Sequence, residues 1–168
     1  MQNNMKYHDK IFIAGANGMV GSAIKKSLLK HGYGDLSRGG RILSPTRKDI
    51  DFTNFKLVEN FFKNQKPEVV ILAAAKVGGI YINSVQPADF LLENLKIQTN
   101  IIEAAWKSGV KKLLFLGSSC IYPRNAPQPI DENSLLTSEL EKTNECYAIA
   151  KIAGLKLCQS LKNQYGFN

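Results

Sequence analysis

The sequence predicts an α/β fold built on a doubly wound parallel sheet of about five strands. Short apolar runs at residues 11–13, 69–72 and 113–116 are typical of strands that are buried on both faces. The stretches between these runs carry apolar residues at helical spacing. The first run is followed at once by Gly15, Gly18 and Gly21, a pattern typical of a tight turn from a strand into a helix. Strands and helices that alternate in this way form a parallel sheet with helices on both faces.

The glycine turn makes the first strand–helix unit a candidate ligand site. Because glycine lacks a Cβ and tolerates positive φ, the backbone of such a turn can approach a ligand closely. The N-terminus of the following helix offers free N–H groups and a partial positive charge, which suit a pyrophosphate. The spacing is Gly-x-x-Gly-x-x-Gly, one residue off the dinucleotide-binding fingerprint. The alternative is a glycine-containing turn that binds nothing.

The other elements follow along the chain. We expect a loose leader at residues 1–9 and a single domain over residues 10–168. The expected strands cover residues 10–15, 41–44 and 67–75, with a further short strand at 48–52, and residues 112–122 hold the last strand and its exit. The expected helices cover residues 20–31, 54–65, 87–108 and 144–165. Residues 32–40 and 123–143 are expected to be loops.

Composition argues against several classes of protein. No run reaches the roughly 18 apolar residues of a membrane span, and the polar N-terminal residues lack the apolar core of a secretory signal, so we expect a cytoplasmic protein with no membrane partner. Three cysteines without a Cys-x-x-Cys motif predict neither a disulfide framework nor a zinc site, and no metal is expected. The net charge of +8 is scattered over the chain, which favours a solvated basic surface over the alternative, a nucleic-acid interface.

The end of the second expected strand indicates which dinucleotide would bind. Folds that bind NAD usually place an acid there for the ribose hydroxyls. Asp35 has the right distance from the glycines but precedes the strand, whereas Thr46, Arg47 and Lys48 follow it. A cation at this place would pair with a 2′-phosphate. We therefore expect NADP(H) rather than NAD(H), with a solvated surface role for Arg47 as the alternative.

Tyr147 and Lys151 form the candidate catalytic pair. They lie four residues apart near the start of the last helix and therefore share one face. A neighbouring ammonium group favours the phenolate, so we expect Lys151 to lower the pKa of Tyr147 and make it an acid/base for a carbonyl–alcohol interconversion. Ser118 and Cys120 emerge at the carboxyl end of the last expected strand, where Ser118 could hydrogen-bond the reacting oxygen.

Five stretches together resemble the short-chain dehydrogenase/reductases of the extended, nucleotide-sugar type, and within them the GDP-L-fucose synthase subfamily. These stretches are Gly-Met-Val-Gly-Ser-Ala-Ile at 18–24, Leu-Ala-Ala-Ala-Lys-Val-Gly-Gly-Ile at 72–80, Pro-Ala-Asp-Phe at 87–90, Lys-Leu-Leu-Phe-Leu-Gly-Ser-Ser-Cys-Ile-Tyr-Pro at 112–123 and Tyr-Ala-Ile-Ala-Lys-Ile-Ala-Gly at 147–154. The resemblance implies a Rossmann-type domain that binds NADP(H), a GDP-sugar substrate, and a homodimer through the helices at 87–108 and 144–165.

The resemblance also assigns roles to residues. It implies an NADPH-dependent 3,5-epimerisation and 4-reduction, with Tyr147 as proton donor, Lys151 and Ser118 supporting it, and Cys120 as an acid/base of the epimerisation. Alternatives are another sugar-nucleotide epimerase or dehydratase, or a non-catalytic NADP-binding module. The expected cofactor-binding residues are Gly15, Ala16, Asn17, Gly18, Met19, Val20, Gly21, Arg47, Leu72, Ala73, Ala74, Leu116, Gly117, Ser118, Ser119, Tyr147 and Lys151.

Three features depart from the subfamily's pattern. Asn17 stands where an arginine is usual near the 2′-phosphate, and Cys146 replaces a proline before Tyr147. The sequence ends at Asn168, so the resemblance implies that the sixth strand, a second acid/base histidine and the substrate domain are missing. We therefore expect the 168-residue chain to bind cofactor without full turnover.

Overall fold

A computed structural model describes residues 5–168 of the chain. Its sheet has four parallel strands, and their spatial order is β2-β1-β3-β4. The strands are β1 (Lys10–Ala14), β2 (Arg41–Leu43), β3 (Val69–Leu72) and β4 (Lys112–Phe115). In the register of the sheet, Ile11 lies opposite Ile42 on one side and Val69 on the other. The parallel α/β fold predicted from the apolar runs is therefore confirmed.

Five α-helices connect the strands within the described residues. They are α1 (Met19–Lys30), α2 (Phe55–Gln65), α3 (Ile80–Val85), α4 (Pro87–Lys107) and α5 (Glu145–Tyr165). The four longer helices confirm the predicted ones to within two residues at each end. The short helix α3 was not predicted, because its six residues carry no helical apolar period.

Helices cover both faces of the sheet, as in a doubly wound fold. On one face, Ile11, Ile13, Val69 and Ile71 of the strands pack against Ile24 and Leu28 of α1. On the other face, alternate strand residues such as Phe12 and Val70 join a larger core that includes side chains of α2, α4 and α5. Because strand side chains alternate between faces and helices cover both faces, the two central strands are buried apart from Lys10 at the start of β1, and this explains their continuous apolar runs.

The expectation of a short strand at residues 48–52 is wrong, and the sheet has four strands rather than five. The alternation of Asp49, Ile50, Asp51 and Phe52 has the period of a strand, but the acids bond to their own neighbourhood. Asp49 accepts hydrogen bonds from the backbone and hydroxyl of Thr46, and Asp51 accepts the same pair from Thr53. Such local bonds stabilise turns in competition with a sheet ladder.

One predicted strand is clearly shorter in the structure than in the sequence analysis, since β3 covers Val69–Leu72 instead of residues 67–75. β4 covers Lys112–Phe115, at the start of the stretch expected to hold a strand and its exit. The small residues after β3 and the serines after β4 therefore lie beyond the ladder, at the carboxyl edge of the sheet. This edge carries the candidate site.

Residues at both ends of the described part contact the rest of the fold. Residues 1–4 of the expected leader lie outside the described part. Tyr7 stacks on Tyr33, with ring centres 4.9 Å apart, and Asp9 is buried with its carboxylate against the backbone N–H of Lys6. At the other end, Leu113 of β4 donates its N–H to the carbonyl of Asn168 at 2.9 Å. No helix of residues 5–168 is long and apolar enough to cross a membrane.

Candidate active site

The glycine turn between β1 and α1 is packed so closely that side chains are excluded. Gly15 has a φ of +83°, and a Cβ there would lie 2.7 Å from the backbone nitrogen of Ala74. A Cβ at Gly21 would lie 2.1 Å from the carbonyl oxygen of Gly15. Gly18 donates its N–H to that same carbonyl at 3.0 Å. The turn thus requires glycine at Gly15 for its backbone conformation and at Gly21 for the contact between helix and turn.

A groove of about 500 Å³ opens beside this turn at the carboxyl edge of the sheet. Ten of the predicted cofactor-binding positions line it: residues 15–21, Arg47, Ala73 and Ala74. Six further lining residues were not predicted, namely Pro45, Thr46, Phe52, Ala75, Val77 and Ile97. Pro45, Thr46 and Ala75 follow strand ends, and they could have been predicted because ligands of parallel α/β sheets bind at the carboxyl ends of the strands. The apolar Phe52 and Ile97 carry no signal in the sequence that separates them from core residues.

The electrostatics of the groove suit an anion. The N-cap of α1 is Gly18, which has no side chain to bond the first N–H groups, and the first turn holds no acid. Of the lining residues in the described chain, Arg47 is the one cation. Its side chain is 77% exposed and lies 3.7 Å from the carboxylate of Glu93. The glycine turn, which has no room for a Cβ at Gly15 or Gly21, and the uncapped N-terminus of α1 together fit the phosphates of a dinucleotide.

Two asparagines of α4 fix the loops that border the groove. Asn94 is 2% exposed and clamps Lys76, accepting its N–H at 2.8 Å and donating to its carbonyl at 3.0 Å. Asn100 donates to the carbonyl of Phe52 at 2.9 Å. An asparagine within a helix is usually solvated, so their helical positions alone do not reveal these roles. Both asparagines bond to backbone groups that are distant in sequence, so these contacts depend on how the chain folds.

The four predicted catalytic side chains gather at the carboxyl end of β4. The thiol of Cys120 lies 3.2 Å from the hydroxyl of Ser118. Lys151 is only 4% exposed, and its ammonium group donates to the carbonyl of Leu116 at 2.9 Å. The same ammonium nitrogen lies 5.9 Å from the ring centre of Tyr147. A donor hydroxyl, a thiol, a phenol and an ammonium group therefore share one site.

The ionisation of this pair differs from the expectation that Lys151 lowers the pKa of Tyr147. Burial raises the pKa of the Tyr147 phenol, the neighbouring Cys120 adds to that rise, and the Ser118 hydroxyl opposes it in part. Burial also lowers the pKa of Lys151 to about 8. Burial, and not the charge of Lys151, therefore decides the direction in which the pKa of Tyr147 moves. The Lys151 ammonium group bonds to the Leu116 carbonyl rather than to the phenol oxygen. At neutral pH the phenol is thus protonated and can donate its proton, while Lys151 still carries its charge.

Not every predicted cofactor-binding residue lines the groove. Leu72 is fully buried at the end of β3 and accepts the Leu116 N–H through its carbonyl at 3.2 Å. The residues after β4 lie one strand further along the same edge, beside the catalytic cluster. The groove and the cluster are therefore neighbours, joined by the pairing of β3 with β4.

Close packing between α4, α5 and β4 holds the candidate catalytic pair in place. A Cβ at Gly154 of α5 would lie 2.6 Å from the ring of Phe115. The buried Gln98 of α4 donates its amide to the carbonyl of Ala150. Gln98 was not predicted as part of the site; its side chain satisfies a helix carbonyl next to Lys151, so it acts as a positioning residue.

A family model described as the NAD dependent epimerase/dehydratase family matches residues 11–168. The chain belongs to this family. It is 56% identical to GDP-L-fucose synthase 1 of Arabidopsis thaliana over 95% of this chain and 47% of the relative. It is 51% identical to the GDP-L-fucose synthase of Escherichia coli strain K12, over 94% of this chain and 47% of the relative. These relatives confirm the resemblance drawn from the motifs.

The solved structures agree with this family membership. A GDP-mannoheptose C4 reductase from Campylobacter jejuni, solved with NADP bound, matches with a TM-score of 0.91 and 40% identity, over 98% of this chain and 50% of that chain. The chain spans about half the length of the curated relatives that it matches.

Proposed function

We propose that the chain is the cofactor-binding and catalytic part of a GDP-L-fucose synthase, which uses NADPH to epimerise and reduce a GDP-4-keto-6-deoxy-mannose. One observation carries this proposal: Ser118, Cys120, Tyr147 and Lys151 meet at the sheet edge that also holds the phosphate-accepting groove. The thiol in that cluster favours the epimerising subfamily over reductases that need only the phenol and the ammonium group.

NADP(H) would lie along the carboxyl edge with its pyrophosphate at the N-terminus of α1. The uncapped N–H groups after Gly18 would bind the phosphate oxygens. Arg47 would pair with the 2′-phosphate, which distinguishes NADP(H) from NAD(H). The small residues Ala73 and Ala74 leave room in the groove wall for the cofactor.

NADPH supplies a hydride to C4 of the ketone when it is bound. Tyr147 delivers the proton that the C4 oxygen needs, so the ketone becomes an alcohol and the phenol becomes a phenolate. Lys151 stabilises that phenolate by its charge, and Ser118 donates a hydrogen bond to the reacting oxygen. The raised pKa of Tyr147 keeps the proton on the phenol until the oxygen of the ketone takes it.

Cys120 would serve the epimerisation at the carbons on either side of the ketone. The carbonyl acidifies their C–H bonds, so a base can remove a proton from one face and an acid can return one to the other face, with no net oxidation. A thiolate is a suitable base for this step. Cys158 is a poor candidate, because burial raises the pKa of its thiol to about 11.

The test is an assay of the whole protein with NADPH and GDP-4-keto-6-deoxy-mannose, with the sugar product identified by NMR, because residues 1–168 alone are expected to bind cofactor without full turnover. GDP-L-fucose as the product is the expected result. Cys120→Ser should reduce the ketone without inverting its neighbours, whereas the matched Cys158→Ser variant should behave as wild type. An unepimerised product from the wild type would instead indicate another sugar-nucleotide reductase. Cofactor binding without turnover would indicate a non-catalytic module.

We also propose that the protein is a cytoplasmic homodimer that pairs through α4 and α5. All three cysteines are free, which suits a reducing compartment. The two helices lie side by side, and Leu92 of α4 and Ile149 of α5 expose 55% and 44% of their surfaces. Light scattering after gel filtration tests the dimer, and a monomer at micromolar concentration would contradict it.

A further inference from the structure

Lys25 of α1 reaches the end of β2. Its ammonium nitrogen donates to the hydroxyl of Ser44 at 2.8 Å, although the two residues are 19 positions apart. Lys25 is half-buried, and within residues 5–168 no acid lies within ion-pair distance of it. Its neighbour Lys26 is exposed. A lysine that is half-buried and neutralised by no acid retains its full charge for a ligand.

The position of Ser44 connects this lysine to the groove. Ser44 directly follows β2 and directly precedes Pro45, Thr46 and Arg47, which line the groove. The Lys25 ammonium therefore lies at the end of β2, beside the segment that carries Arg47 and outside the residues that line the groove. The hydroxyl of Ser44 accepts from Lys25, so its own proton is available for a further acceptor.

The charge of Arg47 alone is a weak match for a phosphate monoester. Such a group carries a charge of about −1.5 to −2 at neutral pH. Arg47 is largely exposed, and Glu93, 3.7 Å away, offsets part of its charge. A second cation nearby would complete the neutralisation, and Lys25 is better shielded from solvent than Arg47. The hydrogen bond to Ser44 also restricts the lysine before any ligand arrives, which lowers the entropy lost on binding.

We propose that Lys25, together with Ser44, is a second recognition element for the 2′-phosphate of NADP(H), so that cofactor preference depends on Lys25 as well as on Arg47. This inference rests on the proposed function, because it assumes that the groove binds this cofactor. It adds a specificity residue that lies on α1, outside both the glycine turn and the residues that line the groove.

The probes are 2′,5′-ADP and 5′-AMP, which differ only by the 2′-phosphate, and calorimetry of the purified protein measures their affinities. Lys25→Met should weaken 2′,5′-ADP by about tenfold or more, since hydrogen bonds to charged groups are worth that much. The affinity for 5′-AMP should change by less than about twofold, because that probe has no 2′-phosphate for Lys25 to meet. The matched Lys26→Met variant, which removes the same charge one residue away, should leave both affinities unchanged.

Lys25→Arg supplies the second variant, since it keeps the charge and should retain most of the 2′,5′-ADP affinity. A merely structural bond between α1 and β2 would change thermal stability without changing the ratio of the two affinities. An unchanged ratio in Lys25→Met would thus overturn the inference. If the wild type binds 2′,5′-ADP no more tightly than 5′-AMP, the inference also fails. If the wild type binds neither probe nor NADPH, the proposed function itself fails.

Discussion

The groove at the carboxyl edge of the sheet and a cleft at its amino edge are nearly equal in size, about 500 and 460 Å³. The amino-edge cleft lies where α2 and α4 end and where β3 and β4 begin. Its lining holds two glutamates, Glu59 and Glu68, and four lysines, so it has more positive charge than the groove: Lys63, Lys66, Lys107 and Lys111. Neither volume nor charge therefore distinguishes the candidate binding groove from the amino-edge cleft.

The two edges differ in how their polar groups are satisfied. At the amino edge three of the four lysines are paired with acids: Lys63 with Glu59, Lys107 with Glu103, and Lys111 with both Glu68 and the buried Asp9. The fourth, Lys66, is the C-cap of α2 and has no ion pair among the described residues. These cations also lie near helix C-termini, where their charge complements the helix dipoles. At the carboxyl edge the first N–H groups of α1 have no side-chain cap, and Lys151 bonds only to a carbonyl among the described residues. Groups that the protein does not satisfy internally are the ones available to a ligand.

Replacing Tyr147 by Phe should cause the largest effect, because it removes the proton donor of the proposed reduction. We expect the turnover of the keto-sugar to fall by a factor of about 100 to 10,000. Affinity for NADPH should be retained, since the aromatic ring and its packing stay. The matched Tyr165→Phe variant removes a phenol from the exposed end of the same helix and should turn over normally. Single-turnover kinetics give the measurement, and a Tyr147→Phe enzyme at wild-type rate would remove Tyr147 from the chemistry.

The buried Lys151 should make stability depend on pH. Its pKa is lowered from 10.5 to about 8 in the folded protein, so the unfolded chain binds more protons than the folded one between those values. The free energy of unfolding should therefore rise as pH increases from about 8 to 10.5. The rise is at most about 3 kcal/mol. Below pH 8 both states hold the proton, and the folded state keeps the full cost of the buried charge.

Lys151→Met provides the comparison for that measurement, because other groups also titrate at alkaline pH. Urea denaturation at several pH values should give a difference curve, wild type minus variant, that rises over this interval. A flat difference curve would mean that Lys151 keeps an ordinary pKa in the folded protein. Burial would then not lower the pKa of Lys151.

Local features of the fold could be predicted from the sequence, and contacts over long sequence distances could not. The glycine turn was found because Gly15 and Gly21 act within one strand–helix unit. The strand expected at 48–52 failed because Asp49 and Asp51 bond to nearby threonines, a competition that residue alternation does not reveal. The pairing of Lys25 with Ser44 and the clamp of Asn94 on Lys76 depend on how the elements pack.

The chemistry of the candidate site divides in the same way. Four residue types at strand and helix ends were enough to predict which side chains meet, since the parallel topology brings those ends to one edge. The predicted direction of the Tyr147 pKa shift was wrong. The direction depends on the burial of the phenol and on which group the Lys151 ammonium bonds to. Both are properties of the packed structure, and the spacing of four residues does not contain them.

Gly21→Ala should have a smaller effect than the loss of Tyr147, because it changes packing rather than chemistry. The new Cβ would lie 2.1 Å from the Gly15 carbonyl, so the turn or α1 must shift. Overpacking of this kind destabilises by about 1–3 kcal/mol, and the shifted N–H groups should weaken NADPH binding about tenfold. Gly79→Ala is the control, since a Cβ there meets nothing within 4 Å. Normal NADPH affinity in Gly21→Ala would contradict the proposed phosphate cradle.

The amino edge should give the smallest effect and the sharpest contrast. Lys111→Met removes the partner of Glu68 and of the buried Asp9 while keeping the length of the side chain. Because Lys111 is 45% exposed, solvent screens the pair, and we expect a loss of about 1 kcal/mol of stability. NADPH and 2′,5′-ADP should bind with unchanged affinity, since the lysine lies at the opposite end of the strands from the groove. Weaker binding of either nucleotide in Lys111→Met would show that the amino-edge cleft takes part in recognition. A lysine that is paired with acids could then no longer be assigned a purely structural role on that ground.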